Sequence, residues 1–175
     1  MTESEIKNIV QRTLERVKAQ APSDTLRASV AQKKASLEKM TLRLAKELCA
    51  AVQSEAVKKG VKAVVCISDG AGNPILMESM DGAYIASYDV AVNKAYTVVA
   101  LKMSTKTLSS LARPDGELYG IQFTNGGKIV IFGGGEPLLG KNGEIIGGLG
   151  VSGGSEAQDT ELASFGKTYF EKIMQ

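Results

Sequence analysis

The sequence predicts an α+β domain in which helices pack on an antiparallel sheet of about five strands. Three observations carry this prediction: short β-branched runs end at glycine- and asparagine-rich turns, longer segments repeat apolar residues at helical spacing, and the two kinds of segment are mixed along residues 36–173. Their order is one helix, two hairpin strands, a long helix, a small helix, three strands and a closing helix. Such an order is typical of α+β domains.

The composition limits the classes of protein to which this chain could belong. The chain has 175 residues, 43% of them hydrophobic and 23% charged, with a formal net charge of +2. This balance indicates one globular domain with a short appendage and does not favour nucleic acid as a partner. Cys49 and Cys66 lie in apolar runs, which favours reduced thiols and a cytoplasmic protein. No run is long enough to span a membrane, and none resembles a signal peptide.

The sequence contains no histidine. Histidine is the usual general acid or base near neutral pH, a common zinc ligand and a common haem ligand. With two cysteines and no histidine, a closed structural zinc site is excluded, and we expect no metal site and no catalytic residues.

The first 20 residues are predicted to be a separate amphipathic helix. Apolar residues within 3–19 recur at helical spacing and form one narrow stripe: Ile6, Ile9, Val10, Leu14 and Val17. Residues 21–35, which include Pro22, are interpreted as a linker. The stripe needs a surface, which is either this chain's own domain, a sister subunit or another protein. A membrane surface is disfavoured because acidic residues accompany the basic ones.

The domain is predicted to begin at Ser36 with a helix that ends at Gly60. Its wide apolar stripe predicts burial against a sheet: Leu37, Met40, Leu44, Leu48, Ala51 and Val52. Residues 61–68 are predicted to form a central strand, and residues 69–74 a hairpin turn into a return strand over residues 75–80. Asp81-Gly82 makes a second turn.

A long helix is predicted over residues 83–102. Small residues occupy one of its faces and permit close approach of another backbone: Ala83, Ser87, Ala91 and Ala95. Lys94 lies among apolar neighbours. Either its stem snorkels and its charge reaches solvent, or it provides a cation for an anionic ligand.

Ser104 is predicted to cap a short helix that ends at Leu111. A strand is predicted over residues 128–132, followed by the loop Gly133-Gly134-Gly135 and a short strand over residues 136–139. Residues 141–143 form a hairpin turn into the last strand.

Residues 143–155 are interpreted as that last strand, ending in a glycine turn at Gly153-Gly154, with Ser155 as the N-cap of the closing helix. Several backbone N–H groups meet there, and they could hold an anion or a polar ligand. The alternative is that the glycines of this motif serve tight packing and turning. Residues 148–153 match G-x-G-x-x-G, but no second parallel strand follows. Residues 150–154 match G-x-S-x-G, but no histidine exists to act as the base.

Several spaced motifs resemble the GlcG/HbpS-like haem-binding family, whose domain also forms the C-terminal part of PduO-type corrinoid adenosyltransferases. They are residues 65–72, Met80-Asp81-Gly82-Ala83 with Ser87 and Lys94, the triplet at 133–135 with Pro137, and residues 150–154 with Asp159. The resemblance covers about residues 36–173. It implies a profilin-like α-β-α fold and homo-oligomers.

The resemblance also implies a ligand pocket between the second turn, the long helix and the glycine loops. The expected ligand-binding residues are Met80, Asp81, Gly82, Ala83, Tyr84, Ser87, Lys94, Gly133, Gly134, Gly135, Glu136, Pro137, Ser152, Gly153 and Gly154. The implied ligand is haem. Several haem-binding members use an axial histidine, which this chain lacks. A tyrosine, methionine, cysteine, lysine or hydroxyl group could replace it, and spacing selects no pair.

The N-terminal helix and linker are similar to the encapsulation peptides of bacterial microcompartment cargo. That similarity implies docking on shell or cargo proteins through residues 3–19, inside a microcompartment in the cytoplasm. The function expected first is a non-enzymatic, oligomeric module that binds a tetrapyrrole or a small anionic metabolite. The alternatives are an enzyme acting on haem or a small metabolite, and a purely structural assembly module.

Overall fold

The computed structural model describes Ser4, residues 6–12 and residues 39–175. The chain divides into two compact units, Met1–Leu37 and Glu38–Gln175. In the first unit, residues 6–12 are helical, as predicted. The rest of the predicted stripe (Leu14 and Val17), the linker 21–35 and the predicted helix start at Ser36 lie outside the described residues. Within the described ranges, no helix is both long enough and apolar enough to cross a membrane.

The second unit contains four strands and four α-helices among the residues described. They are α1 (Leu42–Lys58), β1 (Val64–Asp69), β2 (Pro74–Ser79), α2 (Ser87–Ala100), α3 (Thr105–Leu111), β3 (Gly135–Leu139), β4 (Ile145–Ser152) and α4 (Glu156–Ile173). Two short 3₁₀ turns, Ile121–Phe123 and Asn125–Gly127, lie between α3 and β3.

The strands form one antiparallel sheet in the order β2-β1-β4-β3. Alternate residues of β1 point to opposite faces. Val65 and Ile67 join the core beneath α1 and α4, whereas Val64 and Cys66 pack with Ala91 and Ala95 of α2. Helices therefore cover both faces of the sheet, which confirms the predicted α+β class.

The strand predicted over residues 128–132 is absent, so the sheet has four strands and not five. The hydroxyl group of Thr97 on α2 replaces the missing neighbour strand: it accepts a hydrogen bond from the Val130 amide at 3.0 Å and lies 3.3 Å from the Lys128 carbonyl oxygen. The backbone of this segment is thus bonded to a helix side chain, although its residues resemble those of a strand.

Two helices begin later than predicted. The first starts at Leu42, after Thr41, whose hydroxyl group accepts from the Leu44 amide. The long helix starts at Ser87 and not at Ala83, because the residues after Gly82 form turns in which the Ser87 amide donates to the Tyr84 carbonyl.

The predicted caps and turns are confirmed. Gly60 follows the end of α1 with a φ of 66°. Ser104 caps α3, and Ser155 caps α4 in a capping box with Gln158. The Asp69 amide donates to the Asn73 carbonyl in the first hairpin, and the Gly140 amide donates to the Glu144 carbonyl in the second.

Strand β4 and helix α2 are in direct backbone contact. A Cβ atom added at Gly148 would overlap the Ala95 carbonyl oxygen, and one added at Gly150 would overlap the Ala91 carbonyl oxygen. The small-residue face predicted for the long helix therefore packs on the glycine face of the last strand. These two glycines serve packing.

Candidate functional site

An open cleft of about 480 Å³ lies between the start of β1, the turn before α2 and the N-terminus of α4. It brings together four of the residues expected to bind ligand: Gly82, Tyr84, Gly153 and Gly154. Five residues that the sequence analysis did not include complete its lining: Gly60, Val61, Lys62, Ser155 and Gln158.

Lys62 is the cation of this cleft. Its side chain lies over the second turn, because a Cβ atom at Gly82 would be 2.9 Å from the lysine Nζ atom and 3.3 Å from its Cδ atom. A Cβ atom at Gly153 would overlap the Lys62 carbonyl oxygen. The sequence gives one indication that this residue is special: Lys62 is the one charged residue in an otherwise apolar run.

Tyr84 stands at the same cleft with 72% of its surface exposed, and the next residue, Ile85, is 96% exposed. Neighbouring exposed apolar side chains are typical of a surface that binds a ligand or a partner. The phenol oxygen of Tyr84 is also a known type of haem iron ligand.

Two amides at the N-terminus of α4 already have partners within the chain. Gly154 donates to Asp159 Oδ1 at 2.9 Å, and Ser155 donates to Gln158 Oε1 at 2.9 Å. Burial raises the pKa of Asp159, while Lys94 and the amides of Gly153 and Gly154 act in the opposite direction. At these two amides, the Asp159 and Gln158 side chains of the chain itself occupy the place of the anion or polar ligand that the sequence predicts.

Lys94 is fully buried, so the expectation that it snorkels is wrong. Its Nζ atom donates to the Val151 carbonyl at 2.8 Å and to Asp159 Oδ2 at 3.0 Å, and it lies 4.9 Å from the centre of the Phe132 ring. Burial lowers the pKa of Lys94, and Asp159 opposes that change. The lysine balances an internal carboxylate and does not line the cleft.

The triplet Gly133-Gly134-Gly135 is buried and bonded to its surroundings. The Gly133 amide donates to Glu156 Oε1 at 3.1 Å, and the Gly135 amide donates to Thr105 Oγ1 at 2.8 Å. The hydrogen bond from Gly133 lowers the pKa of Glu156. These glycines join the loop to α3 and α4, and they do not line the cleft.

The other expected residues are dispersed. Ser152 and Ser87 are hydrogen-bonded to each other at 3.1 Å in the interior. The Met80 sulfur accepts from the Ala63 amide, Asp81 is exposed, and Ala83 packs beside Cys66.

Glu136 and Pro137 lie on the edge strand β3, far along the chain from the cleft residues. Glu136 is 3.8 Å from the Lys167 ammonium group, and burial raises the pKa of its carboxyl group. Neither residue lines the cleft.

Within the described ranges, no cluster of three or more histidine, cysteine, aspartate or glutamate residues could hold a metal ion. Both cysteines are buried, and burial raises the pKa of Cys49 and of Cys66 to about 12. Such thiols are poor ligands and poor nucleophiles.

Comparison with known proteins identifies the domain's relatives. A 15.0 kDa protein encoded between dhaT and dhaS in Citrobacter freundii is 41% identical over 134 residues, which cover 77% of this chain and 94% of that protein. Corrinoid adenosyltransferase PduO of Salmonella typhimurium is 40% identical over 67% of this chain, which spans only 34% of PduO.

A crystal structure of the PduOC:heme complex superimposes with a TM-score of 0.71 and 36% identity, and the match covers 75% of this chain and 94% of that one. The profile of the family described as "Haem degrading protein HbpS-like" matches residues 40–167. This match spans nearly the whole second unit, and the chain therefore belongs to the HbpS-like family.

Proposed function

We propose that the domain of residues 36–175 is a non-enzymatic module that binds a ligand in the cleft beside Gly82 and Tyr84. The favoured ligand is haem or another tetrapyrrole, and a small anionic metabolite is the second candidate. The description of the family and the heme complex of the PduOC structure support the first choice.

One observation carries the proposal: Tyr84 is the side chain in this cleft that is both exposed and able to serve as an oxygen ligand to haem iron. Several replacements for histidine that lie outside the cleft are already hydrogen-bonded or buried. Lys94 is paired with Asp159, and the Met80 sulfur accepts a hydrogen bond. The two cysteines are buried.

The remaining cleft residues also fit a haem group. Gly82 and Gly153 have no side chains, which leaves room for Lys62 at the cleft. Lys62 offers a positive charge to the propionates. When bound, haem supplies an iron atom with coordination positions beyond its four ring nitrogens, and Tyr84 would hold the group from one side.

The composition of the cleft favours binding over catalysis. None of its nine lining residues is an acid, a cysteine or a histidine. The Ser155 hydroxyl accepts a hydrogen bond from the Gln158 amide and has no base beside it. Turnover of haem or of a small metabolite by the purified protein would favour the enzymatic alternative.

Titration with haemin, followed by absorbance in the Soret region, tests the proposal. We expect Tyr84→Phe to weaken binding at least about tenfold and to change the spectrum, because the ring remains but its oxygen is lost. Tyr119→Phe is the matched control, since Tyr119 is 63% exposed and lies outside the cleft. Equal binding by both variants and the wild type would reject Tyr84 as the ligand.

We also propose that the domain forms homo-oligomers and that residues 3–19 dock on shell or cargo proteins of a cytoplasmic microcompartment. Exposed apolar side chains in both units support this: Ile85, Tyr88 and Phe123 in the domain, and Ile6, Ile9 and Val10 in the N-terminal helix. Size-exclusion chromatography coupled to light scattering measures the number of subunits in the oligomer.

A further inference from the structure

Lys62 occupies space that two glycines leave open. Its side chain runs over Gly82, where a Cβ atom would be 2.9 Å from Nζ and 3.6 Å from Cε. Its carbonyl oxygen occupies the space that a Cβ atom of Gly153 would need. Two of the glycines that line the cleft therefore make room for the backbone and the side chain of the same lysine.

Lys62 has no ion-pair partner among the residues that the structure describes: no carboxylate of that part of the chain lies within 4.0 Å of its ammonium group. Five other lysines of this domain do have such a partner: Lys58, Lys59, Lys94, Lys106 and Lys167. Lys62 is therefore available to an anion that enters the cleft.

The N-terminus of α4 is the other source of positive potential at the cleft, and two of its amide donors are already hydrogen-bonded. The amides of Gly154 and Ser155 donate to Asp159 and Gln158, so the N-terminus of α4 offers no free donor from these two residues. The cleft lining contains no arginine and no second lysine. Lys62 is therefore the one charged side chain of the lining with which an acidic ligand group could pair.

We propose that the Lys62 ammonium group binds a carboxylate of the ligand and that the cleft selects ligands that carry one. This inference rests on the proposed function and names the ligand class for that same cleft. Charge-assisted hydrogen bonds of this kind are short and are about twice as strong as neutral ones. Tetrapyrrole propionates and small carboxylic acids share this chemistry.

Haemin and its dimethyl ester are the probes that isolate the carboxylates, since esterification removes the charges and leaves the ring unchanged. We expect the wild type to bind haemin about tenfold more tightly than the ester. Lys62→Met should remove this preference, so that the two affinities agree within about twofold. Lys46→Met is the matched control, because Lys46 is exposed on α1 and does not line the cleft.

Competition by succinate separates the two sources of carboxylate. Weaker haemin binding in millimolar succinate, for the wild type but not for Lys62→Met, would show that Lys62 accepts small acids as well. If both probes bind and Lys62→Met keeps the wild-type preference, the inference fails while the proposed function stands. If neither probe binds to the wild type, tetrapyrrole binding is rejected, and the role of Lys62 falls with it.

Discussion

At the scale of single residues, the buried pair of Lys94 and Asp159 organises the region beneath the cleft. The lysine bonds to Val151 of β4 and to Asp159 of α4, and the other oxygen of Asp159 accepts from Gly154 at the cleft. Both groups are almost fully buried. Removing one partner of such a pair leaves an uncompensated charge in the interior.

We therefore expect Lys94→Met to cost about 3–5 kcal/mol of unfolding free energy. The double variant with Asp159→Asn should regain roughly half of that loss, because the neutral amide needs no cation and can still accept from Gly154. Urea denaturation of the wild type, the single variant and the double variant measures both values. A double variant no more stable than Lys94→Met would contradict a charge-balancing role.

The sequence alone does not show that Lys94 is buried in an ion pair while Lys62 lies exposed at the cleft. Lys94 has apolar neighbours in a helical pattern, which is compatible with a snorkelling stem, and its partner is 65 residues away. Lys62 is one charge in an apolar run, and it lies close to Gly82 and Gly153, which are distant in the sequence. Charge pairing over such separations is a property of the tertiary structure.

At the scale of elements, the contact between β4 and α2 explains the glycine-rich strand. Gly148 and Gly150 face the Ala95 and Ala91 carbonyls so closely that no side chain would fit. Small residues on both elements bring the backbones together. Gly148 and Gly150 therefore allow the sheet to pack on α2. Gly153 and Gly154, which follow the end of β4, line the cleft.

Gly150→Ala tests this contact. The new methyl group would overlap the Ala91 carbonyl oxygen, which a rigid helix cannot move aside, and we expect a loss of about 2–3 kcal/mol. Gly143→Ala is the control, because its φ of 80° imposes backbone strain while nothing lies within 4 Å of the added atom. It should cost about 1 kcal/mol. Equal thermal and urea stability of the two variants would argue against close packing.

Elements that depend on local signals were predicted well. The hairpins and the caps at Ser104 and Ser155 follow from residues within a few positions of each other. The strand predicted at 128–132 was wrong: the Val130 amide donates to the distant hydroxyl group of Thr97 and not to a neighbouring strand. Of the predicted site, Gly82, Tyr84, Gly153 and Gly154 lie together at the cleft, and the other expected residues lie elsewhere in the domain.

At the scale of the whole molecule, we propose that the two units have separate tasks. Residues 1–20 would target the protein through the linker 21–35, and the domain from residue 36 would bind the ligand. Deletion of residues 1–20 should leave the unfolding transition of the domain unchanged and abolish co-localisation with shell protein. Circular dichroism and fluorescence microscopy measure the two effects.

A deletion variant that loses solubility or melts without cooperativity would instead favour a helix that packs on its own domain or on a sister subunit. The control is a variant in which Lys7 and Arg12 are exchanged for glutamine. It changes the charge around the stripe and keeps the apolar residues, so it should still co-localise.

The central claim is that ligand binds in the cleft formed by Lys62, Gly82, Tyr84, Gly153 and Gly154. Its most direct test is a titration of ¹⁵N-labelled protein with haemin, whose paramagnetic iron broadens nearby amide signals. We predict selective loss of the amide signals of Gly82, Gly153 and Gly154, with those of Gly126 and Gly127 retained. Broadening at Gly126 and Gly127 while the three cleft glycines stay sharp would contradict the claim.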